Sequence, residues 1–279
     1  MNIAVLSGKG GTGKTTLSTN LAYYISKKGY NTQYLDFDVE EPNGFIFLKP
    51  SIIDIKKVEV KVPDINKELC TGCGLCSEKC NFNALALVNK QIMFFEQICH
   101  SCGLCNIVCP NEAIAEVNRK IGIIERGERD NLICTRGVLD IGEPMGIPIL
   151  RDMIKYLRND LVNVIDAPPG SSCSVINSIE EADYCVLVTE PTKFGLSDLK
   201  IAYKVVERLG LKGGVVINRS DGEDTIIKNY CNMEGIPIIE SIPYDKDIAI
   251  AYSKGDLMTS NKKFQNILET IISKIMEVE

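Results

Sequence analysis

Apolar positions along the chain switch between two periods. Ile3–Leu6 is an unbroken apolar run, followed by the glycine-rich stretch Gly8–Thr16. Leu17, Leu21, Tyr24 and Ile25 then recur at helical spacing as far as the stop signal at Gly29. A second apolar run, Gln33–Phe37, ends among Asp36 and Asp38. This pattern predicts a strand–loop–helix–strand unit, the opening of a parallel α/β fold. The rhythm breaks between about Pro63 and Asn118, where segments are short and no long amphipathic helix is written. It resumes with a helix near Ile147–Arg158, runs at Leu161–Ile165 and Tyr184–Thr189, a helix over Leu196–Leu209, and runs at Gly214–Ile217 and Pro237–Ile242. Ile121–Ile141, with turn-like Arg126-Gly127-Glu128, reads as a hairpin returning from the interruption. The expected organisation is one α/β domain in two parts, 1–62 and 119–279, divided by an insertion over 63–118.

The last helix starts at Lys262 and carries Phe264, Ile267, Leu268, Ile271, Ile272, Ile275 and Met276 as one stripe. Glu269, Glu277 and Glu279 balance Lys262, Lys263 and Lys274, so no cationic face is offered to anionic lipid, and the stripe is expected to pack on the sheet. No run of eighteen apolar residues exists, and Met1–Leu6 is too short for a secretory leader. The expectation is therefore a cytoplasmic protein. A net charge of -6 with no basic stripe argues against nucleic acid as the main partner.

Cysteine changes the picture. The chain has 12, eight of them between Cys70 and Cys109. The run Cys70-x2-Cys73-x2-Cys76-x3-Cys80 recurs as Cys99-x2-Cys102-x2-Cys105-x3-Cys109, each copy followed by Ala84-Leu85 or Ala113-Ile114. Regular spacing without an export signal reads as metal ligation in preference to a disulfide framework, with zinc the lesser alternative to iron–sulfur. Cys185 and Cys231 read as small buried hydrophobes, and His100 as a solvent-facing loop residue.

Gly8, Gly13, Lys14 and Thr15 satisfy G-x-x-x-x-G-K-[ST] between a strand and a helix, where backbone N–H groups of residues 8–16 (Gly8, Lys9, Gly10, Gly11, Thr12, Gly13, Lys14, Thr15, Thr16) can wrap polyphosphate. Lys14 would neutralise phosphate oxygens and the Thr15 hydroxyl would ligate Mg²⁺. With Lys9, the loop resembles the deviant Walker A motif of the MinD, Mrp and nitrogenase iron protein superfamily of P-loop NTPases. That resemblance implies a mostly parallel α/β sheet and a nucleotide-dependent homodimer in which Lys9 acts across the interface. It implies further that Asp38 orients the attacking water, that Asp166 in Val164-Ile165-Asp166-Ala-Pro-Pro-Gly170 holds Mg²⁺, and that the Gly170 N–H senses the γ-phosphate. Asn218, Arg219 and Pro243 match the strand ends that bind adenine. Asp36 is equally well read as a solvated cap.

The doubled cysteine run resembles bacterial two-cluster ferredoxins, in which the fourth cysteine of each run serves the other cluster. The resemblance therefore assigns Cys70, Cys73, Cys76 and Cys109 to one [4Fe–4S] cluster, and Cys99, Cys102, Cys105 and Cys80 to a second. Pro110 follows Cys109, but Asn81 follows Cys80, which departs from the pattern. The whole chain is similar to MinD-like ATPases with an inserted ferredoxin domain. Cys173, close behind Asp166, resembles the cysteine with which the nitrogenase iron protein helps to hold a cluster between two subunits, and Cys134 could supply a second ligand per subunit. The leading expectation is an ATPase coupled to electron transfer toward an unidentified partner. The rivals are an ATPase for cluster assembly or delivery and a positioning ATPase.

Overall fold

The computed structural model describes residues 1–277. The elements in chain order are β1 (Asn2–Leu6), α1 (Lys14–Lys27), β2 (Thr32–Asp36), α2 (Gly44–Leu48), β3 (Ser51–Ile65), α3 (Leu75–Glu78), β4 (Leu85–Val88), β5 (Gln91–Phe94) and α4 (Leu104–Ile107). They continue as β6 (Ile114–Arg129), β7 (Leu132–Leu139), α5 (Ile147–Ile154), β8 (Val162–Asp166), α6 (Cys173–Ile179), β9 (Tyr184–Thr189) and α7 (Lys193–Arg208). The chain ends with β10 (Gly213–Ser220), α8 (Thr225–Glu234), β11 (Ile238–Pro243), α9 (Lys246–Ser253) and α10 (Lys262–Met276).

Nine strands form one sheet in the order β11-β10-β9-β1-β8-β2-β7-β6-β3. From β11 to β7 neighbours are parallel; β6 and β3 join antiparallel at one edge. Parallel strands covered on both faces need apolar residues at successive positions, which is why Ile3–Leu6 and Tyr184–Thr189 read as unbroken runs. Alternate residues feed two cores. Ala4, Leu6, Leu35, Ile165 and Leu187 pack with α5, α6 and α7, while Ile3, Val5, Tyr34, Val164 and Val186 pack with α1 and α10. Phe264, Leu268, Ile271 and Ile275 of α10 are buried against the second core, as their stripe predicts. Glu279 lies outside the described residues. Among the described residues no helix is long and apolar enough to cross a membrane.

The antiparallel edge reaches further than the parallel strands. β7 stops at Leu139, opposite Gly122 of β6, but β3 and β6 continue pairing from Glu59–Lys120 to Ile65–Ile114. That stretch is a two-stranded ribbon extending roughly 23 Å beyond the sheet at about 3.3 Å per residue. It leaves the sheet at the C-terminal ends of the parallel strands, the edge where the β1–α1 loop, the end of β2 and the end of β8 open. The boundaries read near 62/63 and 118/119 fall inside β3 and β6, so the cysteine-bearing cap proper is residues 66–113. Ile121 is the extra residue of a bulge at the ribbon's root, between Val58–Gly122 and Glu59–Lys120.

The hairpin read over Ile121–Ile141 is present, but its turn is at Asp130-Asn131, not at Arg126-Gly127-Glu128. Gly127 lies within β6, near its end, where a Cβ would come 2.7 Å from the Ser51 carbonyl oxygen. Close strand approach, not a turn, calls for that glycine.

Candidate functional site

The loop joining β1 to α1 is wedged between α7 and the end of β10. A Cβ on Gly8 would fall 2.1 Å from the Asp198 carbonyl oxygen, and one on Gly13 would fall 2.2 Å from Asn218 Nδ2. The Asn218 amide donates to the Thr12 carbonyl at 2.7 Å, tying the loop to β10. Gly13 also has φ 97°, the left-handed conformation that glycine adopts freely.

Lys14 opens α1 and is nearly buried at 6% exposure. Its ammonium donates to Asp166 Oδ1 at 2.8 Å and lies 3.8 Å from Asp38 Oδ2. Burial pulls the Lys14 ammonium down, but Asp166, Asp38 and Asp36 together more than offset this and hold it above its ordinary value. The other Asp166 oxygen accepts from the Tyr34 hydroxyl at 3.1 Å. Asp36 is fully buried, so it is not the solvated cap that its strand-end position allowed. It accepts from the N–H of Gly44 at 2.8 Å and of Asp38 at 3.2 Å, pinning the turn between β2 and α2. One buried cation thus faces three carboxylates at the ends of two adjacent strands.

This constellation lies against a solvent-open cleft. Gly10, Gly11, Gly13, Lys14, Thr15 and Thr16 line one side, Asp38 and Pro169 lie beside them, and Asn218, Arg219 and Pro243 line the far end. Other expected residues are placed differently. Lys9 is 42% exposed and lies 3.6 Å from Asp198. Gly170 donates its N–H to the Ser7 carbonyl at 3.0 Å, so in this conformation the amide is held by the loop and not turned into the cleft. Thr12 is buried beneath the loop. Arg219 adopts φ 53° and pairs with Glu190 at 2.6 Å.

At the tip of the ribbon the two cysteine runs cross. Cys70, Cys73, Cys76 and Cys109 line one cavity, and Cys80, Cys99, Cys102 and Cys105 line another. The two copies share their backbone: Gly72 and Ser101, Gly74 and Gly103, and Asn83 and Glu112 all take positive φ. Amide N–H groups of Ala84 and Ala113 point at Cys80 and Cys109 Sγ, each at 3.3 Å. Each cavity is capped by a pair drawn from both copies. Asn111 donates to Thr71 at 2.8 Å beside the first, while the Phe82 and His100 rings stack at 3.8 Å beside the second. Among the described residues no three His, Cys, Asp or Glu side chains converge tightly enough to hold a single metal ion.

The family described as CobQ/CobB/MinD/ParA nucleotide binding domain matches residues 3–258. The chain belongs to this family. An uncharacterized protein of Methanocaldococcus jannaschii is 33% identical over 279 residues, covering 99% of this chain and 98% of that one. A putative septum site-determining protein MinD of Chlorella vulgaris is 25% identical over 286 residues, covering 98% of this chain and 84% of the other. Among solved structures, the septum site-determining protein MinD complexed with Mg-ADP from Pyrococcus horikoshii superposes with a TM-score of 0.63 at 18% identity, over 98% of this chain and 95% of that one. The chain is thus a nucleotide-binding protein of the MinD/ParA type, with its family's α/β P-loop fold.

Within this family fold, two residues missed in the sequence now stand out. Tyr34 sits in a strand run whose only visible signal is hydrophobic, yet a buried tyrosine hydroxyl needs a partner and finds Asp166. Asp198 lies on α7, where it reads as ordinary helix surface. Cys134, which could have supplied a second ligand beside Cys173, is fully buried in β7, with its thiol pushed up to about 12 by burial. Cys173 itself is exposed at the start of α6, and Cys185 and Cys231 are buried as read. His100 is exposed, but it stacks on Phe82 and does not simply face solvent.

The acidic cluster predicts a pH response. Burial, then the Asp166 charge, pushes Asp36 up to about 8; burial pushes Asp38 up to about 6. Both are raised above their unfolded values, so between about pH 4 and pH 8 the folded chain binds more protons than the unfolded one. Their contribution is fully present at acid pH and is lost as pH rises through that window. Asp36→Asn should keep the acceptor for Gly44 and flatten the fall in Tm between pH 5 and pH 8.5. A slope identical to wild type would show that Asp36 is ionised throughout.

Proposed function

We propose that the chain is a dimeric ATPase whose nucleotide state governs an electron-carrying insert. The observation that carries this reading is the crossing of the cysteine runs into two sets of four, on a ribbon that leaves the sheet at the nucleotide edge. The fit to cubane clusters rests on the donor set: four thiols line each cavity, with the Ala84 and Ala113 N–H groups aimed at Cys80 and Cys109 sulfur. Two [4Fe–4S] clusters held there would supply one-electron carriers.

The rest of the reading concerns the chain's own groups. Lys14 would neutralise phosphate oxygens, the Thr15 hydroxyl and Asp166 would hold Mg²⁺, and Asp38 would orient the attacking water. Tyr34 fixes the Asp166 carboxylate from behind. On nucleotide binding, Lys14 exchanges part of its pairing with Asp166 and Asp38 for phosphate, which frees both carboxylates to act. Lys9 leaves Asp198 to stabilise charge on a partner subunit's nucleotide. Lys9→Ala should lower hydrolysis by roughly 10³-fold or more, as loss of a catalytic finger does, with ATP affinity within about twofold. Normal turnover would remove the trans role.

The test reconstitutes the full chain anaerobically and measures iron content, cluster potential with and without ATP, and ATPase rate with clusters oxidised and reduced. Coupling predicts that potential and rate each move. Values unchanged in all four conditions would sink it, and loss of iron to an apo-acceptor under ATP would favour cluster delivery.

A further inference from the structure

The ribbon's root carries a continuous connection between the nucleotide edge and the second cysteine set. Val39, the residue after Asp38, accepts the N–H of Leu139 at 2.9 Å and packs against Gly137 and Gly146, where any Cβ would overlap it. Asp140, next in line, donates its N–H to the carbonyl of the bulged Ile121 at 2.9 Å. Glu143 closes the same turn on Asp140 and sends its carboxylate across to Arg119 of the ribbon, where both guanidinium N–H₂ groups engage it. Arg119 Nε in turn lies 3.3 Å from Glu96, three residues before Cys99, as an ion pair without hydrogen-bond geometry to a half-exposed carboxylate.

We infer that the Glu143–Arg119–Glu96 chain is the joint through which the Asp38–Val39 segment re-aims the cap, making Arg119 a positioning residue for the second cysteine set. This rests on the proposed coupling of nucleotide state to the insert. The chemistry suits the role. A bidentate guanidinium–carboxylate pair fixes direction as well as distance, and both side chains here are only 13% exposed. The neighbouring Lys120–Asp140 pair ends in a single rotatable ammonium, so it fixes no direction. The bulge at Ile121 is the place where the ribbon can bend, because the extra residue breaks the regular ladder there. A shift of Val39 therefore moves Leu139 and Asp140 at the bulge itself, while Glu143 carries the turn's new direction to the cap.

Hydrogen–deuterium exchange on the anaerobically reconstituted full chain tests this. With Mg-ATP, wild type should show protection at residues 8–16 and a change of at least threefold in exchange over residues 91–109. Arg119→Gln and, independently, Glu143→Gln should retain the protection at 8–16 and lose the change at 91–109. Persistence of the cap response in both single variants, or its absence from wild type, would overturn the inference. Failure of the functional reading would look different: a chain binding no iron, or one whose potential ignores ATP, whatever the exchange pattern. Iron bound, an ATP-sensitive potential and fully responsive variants would remove Arg119's role alone.

Discussion

Replacing Lys14 by Met should reduce ATP hydrolysis by roughly 10²- to 10³-fold, the scale of losing one preorganised charge at a transition state. The more diagnostic result concerns the free protein. Lys14 is the cation facing Asp166, Asp38 and Asp36, and Asp166 and Asp36 are fully buried. Removing one partner of a buried pair strands the other, at a cost of about 3–5 kcal/mol while the stranded group stays charged. Protonation relieves that penalty. The variant should therefore lose most stability above pH 8 and little near pH 5, where Asp36 and Asp38 take up protons. Urea unfolding at pH 5.5 and pH 8.5 would check this, and an equal loss at both would mean that Lys14 contributes packing, not charge.

Paired cysteine substitutions should give the second large effect. If the crossed cavities are the ligand sets, Cys70→Ser with Cys109→Ser damages one cluster, leaving about four of about eight irons per reconstituted chain. Cys105→Ser with Cys109→Ser, two neighbours in one sequence run, should remove nearly all. Uncrossed ligation predicts the reverse ranking for these pairs. Iron analysis and the intensity of the reduced-cluster resonance would separate the two outcomes.

How much of this was legible in the sequence depended on whether function or packing wrote the signal. Gly8, Gly13, Lys14 and Thr15 were readable because a phosphate loop leaves little freedom in residue type. The strand Tyr184–Thr189 was readable as it stands, since burial on both faces leaves mostly apolar choices. The ribbon was not. Ser51–Lys57 of β3 is an exposed edge, so its side chains record neither a core nor a period. Gly127 looked like a turn because glycine marks both turns and close strand approach, and only the partner strand distinguishes them. The Gly170 amide, the Lys9–Asp198 pair and the Arg119 junction join residues far apart in the chain. No local pattern announces such contacts.

The ribbon also constrains how a cap of this kind can be moved or rebuilt. Successive residues of a strand point to opposite faces, so reach and orientation come in quantised steps. Removing two residues from each strand between Glu59–Lys120 and Ile65–Ile114 would draw the cap in by about 7 Å and leave it facing the same way. Removing one from each would turn it over. A designer grafting another redox module onto this stem would have to count in twos.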